Sequence, residues 1–592
     1  MGWRSKTPSE AKGDAMFAGK TNLARSHARA RSMATAAGLA ALLVAVPAGA
    51  SAQPSGPPSL PPTVGPLPGP SGLPAGPPAG LPAGPPAGLP AVPQYAGPPA
   101  TVGPIALGLN TAPWDYEYAA PVSQGGGEDV IQRLLPGAGI DLMRYGGGSY
   151  ADYYDWQTNT DIQSCIFDSF TPPASSWPYD TTAPFTGAAC DGHDSLSFDQ
   201  FSAQAKAVGA QSFVTVNYGS GTPALAAAWA AHAQSTPGDS VALWEVGNEN
   251  YGCWEVNNWL SGYPEYFQGY KPNDYVNGVN ATCPQTVQGD ATGTQTLATS
   301  YAVNARPFML AMKEADPSAQ IGVPWAFGNG VGGAAVPDNS EWNDTVLGQD
   351  GDLVSFVDAH YYPFSFYGST GGTNPSDHQV LQALMSVPAL YEQIKSTLAT
   401  YDPKAQVVVG ETNVSNNETT TVCTPAGALF AAGDVLSWLA AGAESVDWWD
   451  MNNYGNTGST CTSPDYGMFS SGAPPFAETP YYGYVLASIL AKPGARLRSL
   501  ATSDPADVMA WQSRLPRGGE AVALLNTNTS ASETVTFGPV PPLVGQLETW
   551  SYSAGVQNST DSEVVKGTTS ATSLAKGLTL PPESLVVLEA SH

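Results

Sequence analysis

Between Ile105 and Asn452 eight short apolar runs recur, with helical patterns interleaved, and this alternation leaves few folds open. The runs are IALGLN to Asn110, DLMRYGG to Gly147, SFVTVNY to Tyr218, ALWEVGNE to Glu249, QIGVPWA to Ala326, LVSFVDAHYY to Tyr362, QVVVGETN to Asn413 and SVDWWDMN to Asn452. Helical periodicity spans Phe198 to Val208, Ala224 to Ala233, Ala298 to Ala315, Leu384 to Thr400, Ala426 to Ala441 and Tyr481 to Leu490. Near-continuous β-branched runs mark strands covered on both faces of a parallel sheet. Eight of them predict an α/β chain closed into a (β/α)8 TIM barrel, with its chemistry at the C-terminal ends of the strands. From about Pro493 the helical period vanishes, and the runs DVMAWQSRL, EAVALLNTN, ETVTFGP and SLVVLEA predict a small C-terminal all-β sandwich domain. The expected boundaries are a signal peptide over 1–52, a Pro/Gly/Ala-rich linker over 53–103, the barrel over 104–492 and the sandwich over 493–592.

Two of the runs end in a carboxylate, Glu249 and Glu411, which a barrel would deliver to the same end of the sheet. Either one alone reads equally well as a solvated rim carboxylate. As a pair they suit hydrolysis with retention at a sugar anomeric carbon, which needs two carboxyls about 5–5.5 Å apart, one as nucleophile and one as acid then base.

The motifs WEVGNEN and VVVGETN resemble the acid/base and nucleophile strands of the retaining glycosidases of clan A. Within that clan the chain is most similar to the α-L-arabinofuranosidase family and its β-xylosidase and β-glucuronidase relatives, over roughly residues 105 to 490. The resemblance implies a (β/α)8 barrel in which Glu249 is the acid/base, Asn248 hydrogen-bonds the sugar 2-hydroxyl and Glu411 is the nucleophile.

Other candidates gather at the strand ends. Arg144 is placed either to hold the nucleophile ionised or bind a hydroxyl, or to form a structural salt bridge. His360, Tyr361 and Tyr362 end the sixth run; Tyr362 is preferred over Tyr361 as a partner of Glu411, and His360 reads as a site residue or as a core histidine. Of Trp448 and Trp449 only one can turn inward to stack on a sugar face. Trp325, Trp114 and Tyr116 are further platform candidates or plain packing. Asn110 and Asn217 are candidates for hydroxyl contacts or for backbone capping.

Composition narrows the function. Seven Lys/Arg fall in the first 52 residues against two acids, ahead of the apolar run Ala34 to Val46 and the small residues Ala50-Ser51-Ala52, which predicts a secretory signal, with Met16 as an alternative translation start. Without that segment the formal charge moves from −28 to −33, which argues against nucleic acid and anionic membranes and suits neutral carbohydrate. No other run reaches membrane-spanning length. The unit GLPAGPPA occurs at Gly72 and Gly80 in a spacer that reads as a tether or as filler. Six cysteines predict three loop-local disulfides, Cys165 with Cys190, Cys253 with Cys283 and Cys423 with Cys461, in an oxidising compartment. The sequon at Asn413 lies where a glycan would block the cleft, and we read the source as bacterial. Gly328 to Gly333 fits G-x-G-x-x-G without a following helix, and the scattered histidines argue against a catalytic metal; no cofactor is expected. The expectation is a secreted, exo-acting retaining glycosidase of oligo- or polysaccharide. The alternative is a carbohydrate-binding or wall-associated protein on an inactive barrel.

Overall fold

The computed structural model describes residues 93–161, 195–252, 255, 297–327, 340–364, 375–416, 418–453, 456, 461–537, 543–553 and 564–590. The expected signal, the linker as far as residue 92, Cys165, Cys190, Cys253, Cys283 and the Gly328–Gly333 stretch lie outside these residues.

All eight predicted runs contain a strand: Leu107–Thr111 (β1), Leu142–Tyr145 (β2), Gln211–Val216 (β3), Val241–Val246 (β4), Ile321–Trp325 (β5), Phe356–Tyr361 (β6), Gln406–Thr412 (β7) and Ser445–Trp448 (β8). They pair in parallel and in chain order, and β8 closes on β1 through Val446 and Leu107. Side chains alternate across each strand. Leu142, Phe213, Leu243, Phe356 and Val408 pack together inside the ring, while Leu109, Met143, Val214, Val323, Val409 and Val446 join the core between the barrel and its helices. The chain is therefore a (β/α)8 barrel.

The helix Phe198–Val208 coincides with its predicted span and is started by a Ser197/Gln200 capping box. Glu128–Ala138, Ser340–Asp350 and Asp377–Ala383 are helices that the periodicity did not single out. The first carries Pro136 inside it, and the second, SEWNDTVLGQD, has few apolar residues to reveal a buried face.

An all-β domain follows the barrel. Its antiparallel sheet runs in the order Gln94–Tyr95, Arg496–Ala501, Val508–Leu515, Gly519–Asn526, Ser584–Ala590, Gln546–Ser553 and Val565–Ser570. One face, with Trp511, Ala523, Leu525 and Val587, is continuous with the barrel core. The other, with Val508, Val522, Leu524 and Leu588, packs on Val535 and Leu580 of the two-stranded sheet Glu533–Val535 and Leu578–Leu580. The predicted linker differs at its end: Gln94–Tyr95 and Ala100–Thr101 are strands that pair antiparallel with Arg496–Ala501. Pro and Gly density hid them, since edge strands tolerate such residues. No helix among the described residues is long and apolar enough to cross a membrane.

Candidate active site

Strict alternation along β7 would point Glu411 outward, in phase with Val407 and Val409. A β-bulge prevents this. Asp358 of β6 pairs with Val408 and His360 with Glu411, so three steps on β7 match two on β6, and the same slip recurs against β8. Gly410 and Glu411 then both face the axis. Arg144 Nη1 donates to Glu411 Oε1 at 2.8 Å and the Tyr362 hydroxyl donates to Oε2 at 2.7 Å. Burial pushes the Glu411 carboxyl above its ordinary value; His360, Arg144 and Tyr362 pull it back, and Glu249 adds to the rise.

Glu249 follows β4 with φ +43°, a left-handed conformation that costs a glutamate on the order of 1–3 kcal/mol and that clusters at functional sites. Its Oε1 is 2.8 Å from His360 Nδ1 and accepts from the Tyr251 hydroxyl at 3.1 Å. One donor atom each from Glu249, His360 and Glu411 lie within 4.8 Å of one another. An oxygen of one carboxylate thus lies within 4.8 Å of an oxygen of the other. These atoms engage each other and the Arg144 guanidinium, a cation already in place.

Arg144 is fully buried and reaches further. Nη1 also donates to Asn110 Oδ1 at 2.9 Å, and Nη2 donates to Glu245 Oε2 at 2.8 Å and Asn248 Oδ1 at 2.9 Å. The guanidinium lies 5.4 Å over the Phe213 ring. Beside it the barrel interior holds Glu245, Asp358 and Asp447, all buried. Burial, reinforced by repulsion from Asp358 and opposed by Arg144, pushes Glu245 up to about 8. Asn248 is fixed from its other side by Glu255, whose Oε1 is 3.4 Å from Asn248 Nδ2 and accepts from Ser149 Oγ at 2.8 Å. Asp152 accepts from Asn250 Nδ2 at 2.7 Å and from the backbone amides of Tyr218, Gly219 and Asn248.

Several candidates take the capping or packing alternative rather than a sugar contact. Asn110 spends its amide on the carbonyls of Gly410 and Trp448 and its oxygen on Arg144, so it braces the barrel. Asn217 donates to Tyr154 O and accepts from the amides of Ser220 and Gly221, closing its own loop. Trp325 and Trp448 are in phase with outward residues and are buried in the helix layer; Trp448 Nε1 donates to Tyr466 O. Tyr361 likewise points outward, to Ala383 O. Trp449 is the half-buried member of its pair and lies against Gly148 (φ +57°), where a Cβ would stand 2.7 Å from its ring. Trp114 packs on Gly147 and, edge-on, on Tyr150, while Tyr116 is exposed. Asn413 is buried with its amide donated to Trp449 O and Tyr466 O, which leaves no sequon nitrogen to modify. Cys423 and Cys461 form a disulfide. Elsewhere His232 pairs with Asp199 at 2.8 Å and lies 3.7 Å from Asp239.

The sequence reading missed Tyr251, Glu255, Asp152, Glu245 and Asp358. For the last two a signal existed: Asp358 precedes His360, and Glu245 shares the strand of Leu243, at the two-residue spacing that puts side chains on one face.

No family model matches the chain, and no curated protein does. Solved structures share the fold. A family 51 α-L-arabinofuranosidase from Bifidobacterium longum superposes with a TM-score of 0.60 at 14% identity, over 86% of this chain and 100% of that one. An α-L-arabinofuranosidase from Thermotoga maritima, in complex with arabinose, gives 0.58 at 15% over 84% and 99%. A Paenibacillus polymyxa xyloglucanase of glycoside hydrolase family 44 gives 0.54 at 12% over 85% and 99%.

Proposed function

We propose that the protein is a retaining glycoside hydrolase, an exo-acting, α-L-arabinofuranosidase-like enzyme secreted to act on oligo- or polysaccharide. The observation that carries the reaction type is the approach of Glu249 and Glu411 within 4.8 Å at the C-terminal mouth of the barrel. Arabinofuranose as the first sugar and exo action rest on the resemblance of WEVGNEN and VVVGETN and on the arabinofuranosidases that share the fold. Secretion rests on the basic and apolar leader over 1–52 and on the Cys423–Cys461 bond.

In this reading a Glu411 oxygen attacks the anomeric carbon, the glycosidic bond breaks, and the departing oxygen takes the proton of Glu249. Glu249, now a carboxylate, accepts a proton from water; the hydroxide bonds to the anomeric carbon and Glu411 leaves as a carboxylate. In the same reading Asn248 offers an amide hydrogen to a hydroxyl beside the reacting carbon, and Trp449 offers a ring face.

The test is a panel of nitrophenyl glycosides with wild type, Glu411→Ala and Glu249→Ala. Wild type should release nitrophenol, Glu411→Ala should lose turnover and regain part of it with azide, and Glu249→Ala should retain far more rate on dinitrophenyl than on unactivated glycosides. Release from no glycoside at all would make the barrel a binding protein.

A further inference from the structure

We propose that Asp358 is a positioning residue of this site: it faces Nε2 of His360 from the barrel interior, keeps both ring nitrogens protonated, and so reserves Oε1 of Glu249 as a hydrogen-bond acceptor while Oε2 carries the proton for the leaving group. The inference rests on the glycosidase reading and deepens it.

A neutral imidazole has one donor and one acceptor nitrogen. Around His360 both nitrogens meet carboxylates. Nδ1 lies 2.8 Å from Glu249 Oε1 and 3.4 Å from Glu411 Oε2, and Nε2 lies 3.6 Å from Asp358 Oδ2. An unprotonated nitrogen on either side would set its lone pair against carboxylate oxygen, whereas the imidazolium presents an N–H to each. Among the described residues, the remaining groups near the ring are Glu245 on β4, with an oxygen within 4.8 Å of a His360 nitrogen and of an Asp358 oxygen, Arg144 on β2, 3.8 Å from Asp358 Oδ2, and Tyr362 just after the strand, bonded to Glu411. Asp358 is built into this place. Its Oδ1 accepts the Gly410 amide at 2.6 Å, and a Cβ on residue 410 would stand 2.2 Å from Oδ2. Neither Asp358 Oδ2 nor His360 Nε2 has a hydrogen-bond partner among the described residues, and the two face each other. Burial would lower the proton affinity of His360; Glu411, Asp358 and Glu249 outweigh it and hold the ring well above its ordinary value. Because His360 and the Tyr251 hydroxyl both converge on Glu249 Oε1, the transferable proton belongs on Oε2.

Nitrogen-15 NMR of the histidine rings in the full chain, with His360→Gln for assignment, reads the protonation state without needing activity. Wild type should show both His360 nitrogens protonated at pH 7.5. Asp358→Asn keeps the shape and the Gly410 contact but removes the charge, so the proton affinity of His360 should fall roughly tenfold or more. The alkaline limb of kcat/KM should then move to lower pH, with kcat lowered and KM little changed. An unprotonated His360 nitrogen in wild type at pH 7.5, or an unshifted titration in Asp358→Asn, overturns the proposal. If Asp358→Asn does not fold, the wild-type spectrum alone decides. A wild type that hydrolyses no glycoside would refute the glycosidase reading and leave the NMR result to test the His360 geometry by itself.

Discussion

At the scale of single residues, Glu411 has a different donor on each oxygen, Arg144 on Oε1 and Tyr362 on Oε2. A hydrogen bond to a charged group contributes about 1.5–3 kcal/mol. Tyr362→Phe should therefore reduce kcat/KM about ten- to hundredfold. The sign of its pH effect follows from the site. Glu411 must be ionised to attack, burial already raises its proton affinity, and the phenol lowers it. Removing the hydroxyl should move the acid limb of kcat/KM to higher pH and leave the alkaline limb in place, and a profile with an unmoved acid limb would assign Tyr362 to packing. Much of this constellation was legible as residue types at strand ends, including Arg144, Asn248, Glu249, His360, Tyr362 and Glu411. The buried acids Glu245 and Asp358 had only their two-residue spacing to Leu243 and His360 as a signal, and they look like defects in apolar runs until the guanidinium between them is seen.

At the scale of the element, the two-residue period of a strand decides which side chains can reach a substrate. That period explains why Trp448 and Tyr361 fall outward while His360 and Tyr362 fall inward. Phase could have been read from Phe356 and Val408 had their inward direction been known; apolar runs do not reveal it, since both faces of these strands are covered. The bulge that turns Glu411 inward has only Gly410 as its trace in the sequence. Beyond β7 and β8 the Cys423–Cys461 bond ties the two loops at a separation of 38 residues. Closing such a loop contributes on the order of 3–4 kcal/mol in the chain-entropy account. Reduction should lower the thermal midpoint by several degrees, and an unchanged midpoint in protein whose Cys423–Cys461 bond is shown open by mass spectrometry would count against that contribution.

At the scale of the whole molecule, barrel and sheet share one apolar core, so the central strands of the C-terminal sheet are buried on both faces. Its runs AVALL and SLVVLEA are near-continuous for that reason, and the sequence showed the domain more clearly than its first strands. Stability should depend on pH with an acid bias. Burial pushes Asp141, Asp152 and Asp434 up to about 7 and Glu245 up to about 8. An acid whose proton affinity is raised by folding contributes stability that is complete below its unfolded value near ~4 and is lost as pH climbs through its folded value. His360, also raised, acts in the same direction. The thermal midpoint should therefore be higher at pH 5 than at pH 8.5, and calorimetry giving the reverse order would mean that these acids are ionised in the fold. The strands Gln94–Tyr95 and Ala100–Thr101 have a mechanical meaning as well. They are hydrogen-bonded to Arg496–Ala501, the strand that leaves the barrel, just before the chain enters β1 at the end opposite the carboxylates. Tension on the chain ahead of Pro93 would be taken up in shear by that antiparallel seam, leaving the eight barrel strands, and the spacing of Glu249 and Glu411, unstrained.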